Sequence, residues 1–237
     1  MKVAPVIVMA LAGSALAAPY EWNFAGEAHN NVAGTITSAK MKFNSNTQVF
    51  SWDVTFGDGV AKGTDGYTLA VSTGPNPKGH AFELALIYFD ATDMNSVAVS
   101  VYRYNGENNA SSFSNPGDLL ASSLGGPFTS AIVSATASDN AGARTFSLAI
   151  NAASINGAYG APTHPDWTGM AFGEKMGIWF HPAADLTTAY EDEQLTKWSR
   201  QKDGWLDGSD FSTVPAPASA VLALSLAGLA ARRRRQA

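Results

Sequence analysis

The pattern of apolar and polar positions alternates with a period of two along much of the chain. Phe50, Trp52, Val54 and Phe56 alternate with Ser51, Asp53 and Thr55. Successive side chains of a strand point to opposite faces, so this spacing predicts a half-buried strand. The same period recurs at Tyr67, Leu69, Val71; at Phe82, Leu84, Leu86, Tyr88; at Val97, Val99, Val101; at Phe146, Leu148, Ile150; and at Met176, Ile178, Phe180. Turn-forming runs separate them: Gly57-Asp58-Gly59, Thr73-Gly74-Pro75-Asn76-Pro77, Tyr104-Asn105-Gly106, Asn115-Pro116-Gly117 and Asp139-Asn140-Ala141-Gly142. Short strands with turns between them predict an all-β fold, a single antiparallel β-sandwich or jelly-roll-like domain. Residues 81–89 are apolar on both faces and are expected at the centre of a sheet. The segment 185–202, rich in Glu and Gln, is the one stretch with a helical alternative, on the weak face given by Leu195 and Trp198.

The two extremities follow a different pattern. Met1-Lys2 precedes the apolar or small residues Val3 to Leu16, and Ala15-Leu16-Ala17 has the small-x-small form of a signal-peptidase site. Residues 1–17 are therefore expected to be a signal peptide, cut after Ala17. Near the other end, Val214-Pro215-Ala216-Pro217 is followed by an uncharged run from Ala218 to Ala231 and then by Arg232, Arg233, Arg234 and Arg235. An apolar run closed by arginines resists passage through a bilayer, because the cations would have to cross hydrocarbon. From Ala218 to Ala231 a helix rising ~1.5 Å per residue reaches roughly 21 Å, short of a hydrocarbon core of about 30 Å. That length suits a processed signal better than a permanent anchor, the competing reading.

The order motif, apolar helix, arginine cluster resembles the sorting tail of PEP-CTERM proteins, with Ala216 in place of the acidic residue of the usual Val-Pro-Glu-Pro. The segments Ser51 to Phe56, Thr73 to His80 and Gly177 to His181 also resemble the bodies of such proteins, and no activity travels with that likeness. What the resemblance implies is a bacterial protein cut near residues 214–217 by an exosortase-type membrane transpeptidase. Its body, residues 18–213, would be released to the cell surface, outer envelope or extracellular matrix after a transient stage in the inner membrane.

Charge then narrows the partners. All 20 Asp and Glu lie within 18–213, against ten Lys and Arg once Lys2 and Arg232 to Arg235 are set aside, a formal charge of −10 for the body. Nucleic acid and anionic lipid are disfavoured by long-range repulsion. Neutral extracellular polysaccharide and cations remain open. The chain has no cysteine, which removes thiol chemistry and disulfide staples.

Chemistry-bearing patterns are sparse. His29, His80, His164 and His181 stand singly, and neither a G-x-S-x-G elbow nor an H-E-x-x-H helix occurs. Asp53, Asp58 and Asp65, among flexible glycines, are candidate Ca²⁺ ligands, as is the group Asp203, Asp207 and Asp210; both read more simply as solvated turns. Glu191-Asp192-Glu193 reads as an exposed acidic turn. Among the six Trp, seven Tyr and twelve Phe, Tyr102, Tyr104, Trp167 and Trp179 fall where a core would not obviously take them. Such rings are candidates for stacking on sugars, although sandwich cores also consume aromatics. The resulting expectation is a structural or glycan-adhesive surface protein without catalysis. A carbohydrate-active hydrolase, which needs two carboxyl groups about 5–9 Å apart, is the alternative.

Overall fold

The period-two pattern at residues 50–56 is met by a strand whose burial alternates residue by residue. The computed structural model describes residues 20–26, 32–44, 46–72, 85–105, 112–114, 118–126, 129–159, 177–200 and 206–207. Their strands are β1 (Tyr20–Gly26), β2 (Ile36–Asn44), β3 (Val49–Phe56), β4 (Thr64–Ser72), β5 (Ala85–Asp90), β6 (Ala98–Arg103), β7 (Leu119–Ser122), β8 (Ile132–Asn140) and β9 (Ala143–Asn151). A short helix α1 (Ala152–Tyr159) follows, then β10 (Gly177–Ala184), β11 (Thr187–Glu191), β12 (Gln194–Ser199) and β13 (Leu206–Asp207). The fold is all-β, and among the described residues every strand pairing is antiparallel.

One sheet has the order β1-β2-β3-β9-β8 and the other β13-β10-β4-β5-β6-β7, with β11-β12 as a separate hairpin. The apolar faces of the two large sheets share one core. Phe50, Trp52, Val54, Phe56, Phe146, Leu148 and Ile150 come from the first sheet, and Tyr67, Leu69, Ile87, Phe89, Val101 and Phe180 from the second. Rings meet across this core at centroid distances of 5.1 Å for Trp52 and Phe180 and 5.4 Å for Phe89 and Phe146. As expected for a segment apolar on both faces, β5 is buried throughout and sits inside its sheet between β4 and β6. Phe82, Leu84 and Met176 lie outside the described residues.

Bulges account for the strands that alternation does not reveal. The β2–β3 register slips between Ile36 and Ser38, so Ile36 and Ala39, three apart, both reach the core. A slip between Ile132 and Ser134 does the same on the edge strand β8, whose Ala135 and Ala137 pack on the core while Val133 is exposed.

The helical alternative for 185–202 is corrected over its described residues: 187–199 form the β11–β12 hairpin, while 201 and 202 lie outside the described residues. Ala189 faces Lys197 whereas Tyr190 faces Leu195, which leaves Thr196 as an extra residue on β12. That bulge turns Leu195 and Trp198 to the same side. Their spacing of three therefore imitates a helix face while belonging to a strand.

Candidate functional site

The most chemically varied surface is the face of the six-stranded sheet that points away from the shared core. Here the register sets His181 beside Thr68, Thr68 beside Tyr88, Tyr88 beside Ser100, and Ser100 beside Ser122, a polar row across five strands. The adjoining row runs Trp179, Ala70, Leu86, Tyr102. These residues are the off-beat positions of β4, β5, β6 and β10. An apolar pattern on both faces of those strands implies a second cover.

That cover is the β11–β12 hairpin, whose Leu195 and Trp198, together with the preceding Leu186, complete a second apolar cluster with Ala70, Leu86, Tyr88, Tyr102 and Ala183. Tyr88 is its hub, with the rings of Trp198, Phe113 and Tyr102 edge-on to it at 5.2, 5.6 and 5.8 Å. Half-buried Trp179 and Tyr104 lie at the margin of the cluster, and the Trp179 ring stands 4.7 Å from that of His181.

Polar contacts hold the hairpin down. Buried Asp90 accepts at Oδ2 from Thr188 Oγ1 (2.6 Å) and the Tyr190 hydroxyl (2.9 Å), and at Oδ1 from the Thr92 amide and hydroxyl. The Leu195 amide donates to the Tyr102 hydroxyl at 3.1 Å, and Ser122 Oγ donates to the Glu193 carbonyl at 3.0 Å. At the hairpin turn Asp192 and Glu193 take φ of 47° and 68°, a left-handed pair that Asn-Gly would adopt more easily. Glu191, Asp192 and Glu193 are exposed there, the acidic turn read from the sequence.

Burial pushes the phenols of Tyr102, Tyr104 and Tyr190 up, as it does that of Tyr67 in the shared core; the Asp90 carboxylate adds to the rise at Tyr190. The unfolded chain releases these protons near pH 10 while the folded chain holds them, so above about pH 10 the unfolded state binds fewer protons and stability falls. The urea midpoint is therefore expected to be lower at about pH 11 than at pH 8, and an unchanged midpoint contradicts this.

No family model matches the chain, and neither a curated protein nor a solved structure matches it. Its chemistry is read from its own residues.

Of the four candidate stacking rings, the structure brings Tyr102, Tyr104 and Trp179 into one cluster, while Trp167 lies outside the described residues. Tyr102 has no exposed surface and its hydroxyl holds the hairpin, so as an open stacking platform it is corrected. Trp179 and Tyr104 keep partial exposure. Spacing singled out Tyr88 and Trp198 only as apolar positions and gave no sign of Asp90 or Ser100; the doubly apolar β5 was the available signal.

The aspartates proposed for Ca²⁺ are drawn to separate tasks. Asp53 is on the outward face of β3, between Lys40 and Ser147 in register. Asp58 Oδ1 accepts from the Thr35 amide at 2.7 Å and closes over Gly34, whose φ of 104° and lack of Cβ permit the approach. Asp65 accepts from Arg144 Nη1 (3.2 Å) and the Leu186 amide (3.3 Å). Burial raises its pKa most, opposed by the Leu186 amide and then the Arg144 charge. Arg144 also makes a bidentate pair with Asp139, whose carboxyl is held below its ordinary range chiefly by that hydrogen bond. Among the described residues no group of three His, Asp or Glu is placed to hold a metal ion. A saturating chelator is expected to leave the melting temperature unchanged, and a fall would show a resident cation bound only by the folded form.

Several sequence-derived sites lie outside the described residues: Ala15 and Ala17, Val214 to Pro217, the apolar run and Arg232 to Arg235, as well as His29, His80, His164, Asp203 and Asp210. Asp207 is described as part of β13 through its backbone alone. Among the described residues no helix is long and apolar enough to cross a membrane.

Proposed function

We propose that this chain is an exported bacterial protein of the PEP-CTERM type, delivered to the cell surface or extracellular matrix, with a structural or glycan-adhesive and non-catalytic body. The observation that carries the location is the sequence of the tail: Val214 to Pro217, then an uncharged run, then four arginines. Signal peptidase acting after Ala17 and an exosortase-type transpeptidase acting near residues 214–217 are the processing partners. Antiparallel sheets meeting through one aromatic core support a β-sandwich body. That body excludes nucleic acid by its charge and engages neutral polysaccharide through the rings of the outer-face cluster.

Three of the described carboxylates already have partners, which supports adhesion over hydrolysis at those positions. Asp90 is sealed under the hairpin by hydroxyl donors, and Asp65 and Asp139 are held by Arg144. A glycosidase needs two carboxyl groups open to one cleft. The exported protein, purified from its host and applied to a glycan array, is expected to bind neutral glycans without releasing reducing sugar. Sugar release abolished by substituting a pair of acids would establish the hydrolase instead.

A further inference from the structure

We infer that the β11–β12 hairpin is a strap that lifts from the outer face of the six-stranded sheet while the shared core stays folded; the inference concerns the fold and is independent of the adhesive reading. The strap is attached unlike the strands of either large sheet. β11 and β12 pair only with each other, and among the described residues no backbone hydrogen bond joins residues 187–199 to a large sheet. Side chains tie it instead: Asp65 and Asp90 at the base, Tyr102 and Ser122 toward the tip. Both ends of the strap return to β10. Asp185, at φ of 50°, leads out of β10 with its amide on the Gly63 carbonyl at 3.1 Å, and β13 pairs back onto Trp179 and Phe180 of β10. Lifting the strap therefore breaks no rung of the large sheets.

Closure carries two burdens that opening relieves. The turn holds Asp192 and Glu193, neither a glycine, at φ of 47° and 68°. A two-stranded hairpin on its own is marginal in water, so the lifted strap gives up that turn. Closure also buries Ser100 Oγ and Trp198 Nε1 without hydrogen-bond partners, in residues 1% and 6% exposed. Ser100 lies in the outer row between Tyr88, which meets the Trp198 ring at 5.2 Å, and Ser122, which holds the Glu193 carbonyl. Trp198 arrives with the strap itself. Each atom separately regains water when the strap lifts, and a buried polar group without a partner disfavours the closed state. Burial of Leu195 and Trp198 and the bonds of Asp90 hold the strap down against these burdens. The open state uncovers Ala70, Leu86, Tyr88 and Tyr102.

The test is native-state hydrogen exchange of the exported protein in low urea, read on peptides of β11–β12 and of β3 and β9. In the parent, protection of β11 and β12 is expected to be at least about tenfold below that of β3 and β9 and to fall less steeply with urea, because a local opening exposes less surface. Two variants lighten the closed state. Ser100→Ala removes a hydroxyl that closure leaves unpaired, and Asp192→Asn with Glu193→Gly supplies residues suited to the turn; each is expected to raise strap protection about threefold or more. Equal protection and equal urea dependence in strap and core would overturn the inference, since the two would then open together. A rise in neither variant would overturn it as well, by showing that the closed strap carries neither burden.

Discussion

Phe146→Ala is expected to lower the free energy of unfolding by about 3–5 kcal/mol. Phe146 has no exposed surface, and it stands on β9 between Val54 of β3 and Ala137 of β8. Its ring meets Phe56 at 6.2 Å, Tyr67 at 6.1 Å and Phe89 at 5.4 Å, joining residues of both large sheets. Truncation removes the transfer energy of the ring and leaves a cavity walled by rigid aromatics, which collapse poorly. A domain with about 5–15 kcal/mol in hand loses a large part of it. Urea denaturation checks this through the midpoint at an unchanged slope. A loss under about 1 kcal/mol, within the range of ordinary surface substitutions, would mean that the two sheets do not depend on this contact.

The second large effect is Asp90→Ala, expected to cost about 2–4 kcal/mol and to act on one part of the molecule. Removal of the carboxylate takes the acceptor from the half-buried hydroxyls of Thr188 and Tyr190 and from the exposed hydroxyl of Thr92. Since Thr188 and Tyr190 belong to β11, the β11–β12 hairpin should loosen first. Hydrogen exchange is expected to show lost protection at β11 and β12 while β3 and β9 keep theirs, the pattern of a sub-global opening. Equal loss in both places would show that the hairpin and the shared core unfold as one unit.

The legible strands were those with an unbroken two-residue period and large side chains, such as 50–56 and 146–150. Where a bulge intervenes, the period fails: Ile36 with Ala39 and Ile132 with Ala135 read as neither strand nor helix. On β12 the extra Thr196 gave Leu195 and Trp198 a helical spacing, and a hairpin was read as a candidate helix. The site was less accessible, for a physical reason. Asp90 and its partner Thr188 are 98 positions apart, a proximity created by the β5–β10 side of the sheet rather than by any local motif. The carboxylates close in sequence, Asp53, Asp58 and Asp65, are sent in different directions by strand alternation and a turn. The aromatics without an evident core position in the sequence, Tyr102, Tyr104 and Trp179, gather on one face.

Intact-mass spectrometry of the protein recovered from the surface or medium of its native host tests the central claim most directly, because it reads both processing events at once. The predicted mass is that of a polypeptide beginning at Ala18 and ending near Val214 to Pro217, without Arg232 to Arg235. A full-length mass from soluble cytosol, with residues 1–17 and the arginine cluster still attached, would contradict it.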